Sequence, residues 1–244
     1  MKSTITLTFA NRAENHVGMQ IIGEKCEKGE GFDYDDLMYA KKKFEKKGCV
    51  CELLNLKRNA YVLVIRGGAN VLSSADKLLA EQNTLTPDKK ALMYGRVVNK
   101  KARYNLCYAD FSQEADYENG KGTIIDFKDV PNLNKLREKL PKFFGQKAEK
   151  LVCEGNFYYD VNKCYIAWHG DSERDRVIAF RFGASIPLYF QWYHHNEKIG
   201  DEIKIKLNHG DVYVMSQKAV GTDWRCSSIK TIRHACGKRH LIKS

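Results

Sequence analysis

Nowhere in these 244 residues does an apolar run approach the roughly 20 residues needed to span a bilayer, and the first residues lack the apolar core of a secretory leader. The expectation is a soluble, intracellular protein, cytoplasmic or nuclear, with no membrane partner. The eight cysteines (Cys26, Cys49, Cys51, Cys107, Cys153, Cys164, Cys226 and Cys236) never form the C-x-x-C pairs of a zinc knuckle. Cys49 and Cys51 would point the same way from a strand, but burial as small apolar residues is the simpler account. All eight read as free thiols in a reducing compartment. Acid, too, is missing from two stretches. After Ser216 the cations Lys218, Arg225, Lys230, Arg233, Lys238, Arg239 and Lys243 face only Asp223, and Arg96 to Tyr104 carries Arg96, Lys100, Lys101, Arg103 and an aromatic ring with no carboxylate. A net charge of +11 favours a polyanionic partner, with a solvated lysine-rich surface the alternative.

What is present is enough for a full core: one domain with a long N-terminal elaboration, or two small ones. Thr4 to Phe9 alternates as a strand, and His16 follows in a loop. Asp33, Asp35 and Asp36 open a helix that Lys41 to Lys43 close and Gly48 stops, in keeping with the helix dipole. Cys49 to Leu56 and Ala60 to Arg66 read as strands, giving β-α-β-β on one small sheet. A short helix is expected over Asp76 to Gln82, and Asn119-Gly120 is a hairpin signal. A further helix over Pro131 to Phe144 has Leu133, Leu136, Leu140 and Phe143 on one face, with Pro141 expected to kink or end it.

Asn156 to Gly183 carries the chemistry. His169-Gly170-Asp171 is an H-x-D triplet at the end of an alternating strand, placing an imidazole and a carboxylate on the same side of the backbone. A distal histidine would complete a 2-His-1-carboxylate triad, which leaves three adjacent positions on Fe(II) open. The closely spaced extra histidines of a zinc hydrolase are absent.

This stretch resembles the AlkB-type Fe(II)/2-oxoglutarate-dependent dioxygenases. The matching features are Asn156-Phe157-Tyr158 as an N-x-Y strand, a short hairpin, H-x-D followed by Ser172-Glu173-Arg174-Asp175, and a strand ending in Gly183. Pro187 to Trp192 and Leu207 to Met215 resemble the strands that follow, and a looser likeness covers Tyr94 to Asp110. The resemblance implies an α+β fold. Residues 91–244 would form a double-stranded β-helix (jelly-roll, cupin-like) core with a basic substrate lid, and residues 1–90 an N-terminal α+β elaboration of unassigned role. It implies Fe(II), 2-oxoglutarate and O2, and a nucleic acid substrate, most simply one whose N-alkylated bases are oxidatively demethylated. Hydroxylation of a protein side chain or a pyrimidine methyl group, or nucleic-acid binding by a degenerate, non-catalytic barrel, are the alternatives.

By the same resemblance the metal ligands are His169, Asp171 and His234, with His240 a weaker choice and His194, His195 and His209 misplaced in the chain. Asn156 and Tyr158 would bind the co-substrate, and Arg233 aligns with one of the family's late arginines. Neighbours on a regular strand face opposite ways, so Arg233 and His234 cannot both point inward without a bulge. Arg181, which alternates with Val177 and Ala179, is the other candidate cation, and Arg239 a further option. Lys100, Lys101, Arg103 and Tyr104 are the expected substrate contacts, cations for phosphates and a ring for a base, with a plain exposed β-hairpin edge the alternative for this segment.

Overall fold

The computed structural model describes residues 2–27 and 29–242; Lys243 of the C-terminal basic run lies outside them. In chain order the elements begin β1 (Thr4–Ala10), β2 (Arg12–Glu14), β3 (Ile21–Gly23), α1 (Tyr34–Glu45), β4 (Cys51–Asn55), β5 (Tyr61–Ile65), α2 (Ala69–Leu72) and α3 (Ala75–Asn83). Next come β6 (Lys90–Met93), β7 (Arg96–Asn99), β8 (Tyr104–Ala109), β9 (Ile124–Asp126), α4 (Pro131–Phe144), β10 (Val152–Tyr158) and β11 (Tyr165–His169). The chain finishes with β12 (Val177–Gly183), β13 (Ile186–His194), β14 (Glu197–Leu207), β15 (Val212–Met215), α5 (Gln217–Val220) and β16 (Thr231–Gly237).

Two largely antiparallel sheets face each other. The larger runs β4-β5-β15-β12-β1-β10-β8-β9 and the smaller β11-β16-β13-β14. From β10 onward the chain passes back and forth between them. The two-residue period of the strands sorts their side chains into two buried layers. Ile5, Leu7 and Phe9 of β1, Ile178, Phe180 and Phe182 of β12, and Val212 and Val214 of β15 meet the helices. Val177, Ala179, Tyr213 and Met215 turn the other way, onto Leu188, Phe190, Trp192 and Ile232 of the smaller sheet.

The helices cover the outer face of the larger sheet. Asp33 caps α1 with a full capping box, and Leu37, Ala40 and Phe44 bury its apolar side. In α4 the buried residues are Leu133, Leu136, Leu140, Phe143 and Phe144, each contributing roughly 1.5–3 kcal/mol. Pro141 does not end that helix, which continues to Phe144. The Asn119-Gly120 turn exists, with Gly120 left-handed, but it joins only an isolated bridge between Asp116 and Lys121.

The division at residue 90 does not separate two sheets. β1 lies between β10 and β12, and β5 pairs with β15, so strands from both sides of that boundary share one set of hydrogen bonds. The expected small β-α-β-β sheet is likewise absent, because β12 and β15 intervene between β1 and β5. Alternation identifies a strand but carries no information about a partner far along the chain. All eight cysteines are free, and among the described residues no helix is long and apolar enough to cross a membrane.

Candidate metal centre and its cavity

A cavity of about 630 Å³ opens between the two sheets. Its floor is a set of cross-strand rows. Asn156, Thr6 and Arg181 stand side by side on β10, β1 and β12, and Glu154, Thr8, Ala179 and Tyr213 form the next row. The N-terminal strand therefore fills the middle of the floor.

His169 reaches this cavity because β11 carries a bulge. Ile166 pairs with Cys236 and His169 with His234, three steps on one strand against two on the other. The extra residue reverses the facing of the side chains. Trp168 packs outward against Tyr189 and Tyr193, and His169 turns inward with its ring 4.3 Å from that of His234. His169 Nδ1 lies 2.8 Å from the Ala167 carbonyl oxygen, an arrangement in which Nδ1–H donates and Nε2 keeps a free lone pair. Nε2 of His169 and Nε2 of His234 lie 3.3 Å and 3.6 Å from Asp171 Oδ1. The donor atoms of all three residues fall within 4.8 Å of one another.

Glycine is required between His169 and Asp171. A Cβ on Gly170 would sit 2.1 Å from the Gly221 carbonyl oxygen. Gly221 itself is left-handed after α5, and the Asp171 N–H donates to Val220 O at 3.1 Å. The H-G-D turn is thus pressed against the start of the loop that leads to β16.

Arg174 holds the carboxylate from behind. Its guanidinium, 5% exposed, donates to Glu154 at 2.7 Å and Glu173 at 2.6 Å, and its Nε lies 3.7 Å from Asp171 Oδ2. Burial by itself would raise the Asp171 carboxyl, but Arg174, His234 and His169 together hold it well below the usual carboxylate range. Burial, with His169 adding to it, pushes His234 down. An anionic carboxylate beside a neutral imidazole is the protonation state that coordinates a cation.

Arg181 also lies in this cavity, 1% exposed. It makes no ion pair among the described residues; Nη1 and Nη2 have only Cys236 Sγ, at 3.7 Å and 3.6 Å, and Nε has no partner. Its guanidinium lies 5.8 Å from the Tyr158 ring centre, and Tyr158 and Tyr213 line the cavity with it.

Arg233 is outside. Around residue 234 the β16–β13 pairing is regular, so the bulge that would bring both residues inward is not there. Arg233 bonds Asn196 and lies 4.1 Å from the Tyr193 ring centre on the outer face. Arg239 pairs with Glu202. Asn156 lines the cavity, but its amide is engaged by Arg103, Asn105 and Glu154. Of the expected substrate contacts only Arg103 lines the cavity. Lys100 is turned into a polar cluster with Asn15 and Asn105, Lys101 is exposed, and Tyr104 stacks on Tyr159 at 4.9 Å. The expected lid begins instead as β7 of the small β6–β7 hairpin.

Several lining residues were given no site role by the sequence: Arg12 and Glu14 of β2, Glu154, Arg174, Trp224 and Arg225. Two had a usable signal. Glu154 precedes Asn156 and Tyr158 at strand period, and Arg174 lies three residues beyond Asp171. His16, read as a surface loop residue, stands in the cavity wall, whereas the rings of His194 and His195 lie tilted against each other, 4.0 Å apart, at the β13–β14 turn.

The fold and site define a two-sheet β protein with a His-Asp-His cluster and an unpaired arginine in the cavity between the sheets. No family model matches the chain. It is 45% identical over 254 residues to the uncharacterized protein R156 of Acanthamoeba polyphaga mimivirus, which covers all of this chain and 99% of that protein, and it belongs to the same family.

Proposed function

We propose that this protein is an AlkB-type Fe(II)- and 2-oxoglutarate-dependent dioxygenase with a double-stranded β-helix core, acting on nucleic acid. One observation carries the reading: three donors of the 2-His-1-carboxylate type share a cavity with a buried arginine that has no acidic partner. The donor set suits ferrous iron, since three protein ligands leave adjacent positions for a bidentate keto acid and oxygen. Bound iron would couple decarboxylation of 2-oxoglutarate to hydroxylation of a C–H bond.

The chain's own part is to hold and orient. His169 and His234 present Nε2, and Arg174 keeps Asp171 anionic and fixed. Arg181 is the cation for the far carboxylate of 2-oxoglutarate, because a buried carboxylate needs charge-assisted hydrogen bonds. Tyr158 and Tyr213 flank it. At the mouth, Arg12, Arg103 and Arg225 line the cavity with no ion pair among the described residues, which suits phosphates. Trp224 offers a ring to a base removed from its stack. Oxidative demethylation of an N-alkylated base is the simplest reaction with such a substrate.

The test is anaerobic addition of Fe(II) and 2-oxoglutarate. A weak visible charge-transfer band is expected, and then, in air with methylated oligonucleotides, succinate and formaldehyde. Succinate without formaldehyde would indicate hydroxylation of a pyrimidine methyl group or a protein side chain. No band would reduce the protein to a nucleic-acid binder.

A further inference from the structure

Cys236 stands apart from the other seven cysteines. Among the described residues it is the only cysteine lining the cavity, and its sulfur is the sole hydrogen-bond partner of a guanidinium that is 1% exposed. A thiol is a poor companion for that cation, being at best a weak acceptor. Arg181 Nε, aimed at nothing, marks a place where anionic oxygens are wanted. Cys107 and Cys153 are buried away from the cavity, and the exposed Cys226 lies on the loop before β16 with no cation bonded to it.

We infer that Cys236 is a modification site, oxidised by a hydroperoxide to a sulfinate that pairs with Arg181. The cavity admits so small an oxidant. In the first step the sulfur attacks one peroxide oxygen, the O–O bond breaks, and Cys–SH and H2O2 become Cys–SOH and water. A second peroxide repeats the transfer, giving Cys–SO2H and another water; each step takes two electrons from sulfur and gives them to peroxide. The sulfinic proton is lost to solvent, and the two oxygens supply the guanidinium with charged acceptors. If Arg181 holds 2-oxoglutarate, a consequence resting on the proposed function, the sulfinate occupies its anchor and shuts the site.

Full-length protein without added metal, treated with hydrogen peroxide and digested, tests this by mass spectrometry. The expected result is a gain of two oxygens on the Cys236 peptide well before Cys107 or Cys153 reacts, with the rate falling at least fivefold in Arg181→Met. Binding of 2-oxoglutarate, followed by calorimetry with Mn(II) as the metal, is expected to weaken at least tenfold after peroxide in the native protein and by less than twofold in Cys236→Ala. Oxidation of Cys236 no faster than Cys153, no dependence on Arg181, or a disulfide between Cys164 and Cys236 in place of added oxygen would each overturn it. If untreated protein ignores 2-oxoglutarate, the proposed function fails while the mass measurement still decides the modification.

Discussion

Replacing Arg181 by methionine should weaken co-substrate binding without destabilising the fold, two effects that rarely separate. Truncating one member of a buried ion pair costs about 3–5 kcal/mol, because the other charge is left alone. Among the described residues Arg181 has no carboxylate partner, only the Cys236 sulfur, so no such orphan is created. Methionine fills similar volume without a desolvated charge, and the ligand-free protein should match or exceed the native stability. A gain of about 1 kcal/mol would raise Tm by roughly 2–4 °C at this size. A carboxylate ligand, by contrast, loses hydrogen bonds to a charged group, worth roughly 1.5–3 kcal/mol, or about 10- to 150-fold in Kd. Thermal unfolding without ligand and calorimetric titration with 2-oxoglutarate and Mn(II) give the two numbers. A Tm lowered by many degrees with an unchanged Kd would mean that Arg181 is an ordinary structural cation.

Gly170→Ala should abolish metal binding and cost about 1–3 kcal/mol or more, since its Cβ cannot coexist with the Gly221 carbonyl; equilibrium dialysis with Mn(II) and urea unfolding check both. Arg174→Met leaves the buried Glu154 and the half-buried Glu173 without their cation, so a loss of about 3–5 kcal/mol is expected, with Arg174→Lys recovering only part because it lacks the planar fork. Glu14 gives a pH signature. Burial lifts its carboxyl to about 7 against the Gly18 N–H bond, with Glu173 and Glu154 adding to the rise. A folded-state value above the ordinary 4.5 of a glutamate means that its stabilising contribution is complete below pH 4.5 and lost as pH rises through about 7. Glu14→Gln should therefore flatten the urea midpoint against pH across that window, and an unchanged slope would show that Glu14 titrates normally.

The strands and helices with strong periodicity were legible in the sequence, as were the three donors that converge. H-x-D is local, and β16 carries His234 on a regular alternation that also excludes Arg233 from the cavity. Arg181 could be read the same way, from its parity with Val177 and Ala179. Partnership was not legible. Nothing in Thr4 to Ala10 states that it pairs with β10 and β12, so the N-terminal residues looked like an appendage. Direction was not legible either: four cations on one stretch indicate charge but not where each points, and Lys100 turns inward to Asn15 and Asn105 while Arg103 lines the cavity. The β2 residues at the mouth belong to a three-residue strand too short for any periodic signal.

The central position of β1 bears on the order in which this molecule can be made. β1 has both its neighbours roughly 140 to 180 residues further along the chain, so it must wait, unpaired, until they are made. Its threonines, alternating with Ile5, Leu7 and Phe9, make that waiting segment only half apolar. Folding should then be late and slow, and the cavity can close only after β16, which carries His234 and Cys236, has been translated.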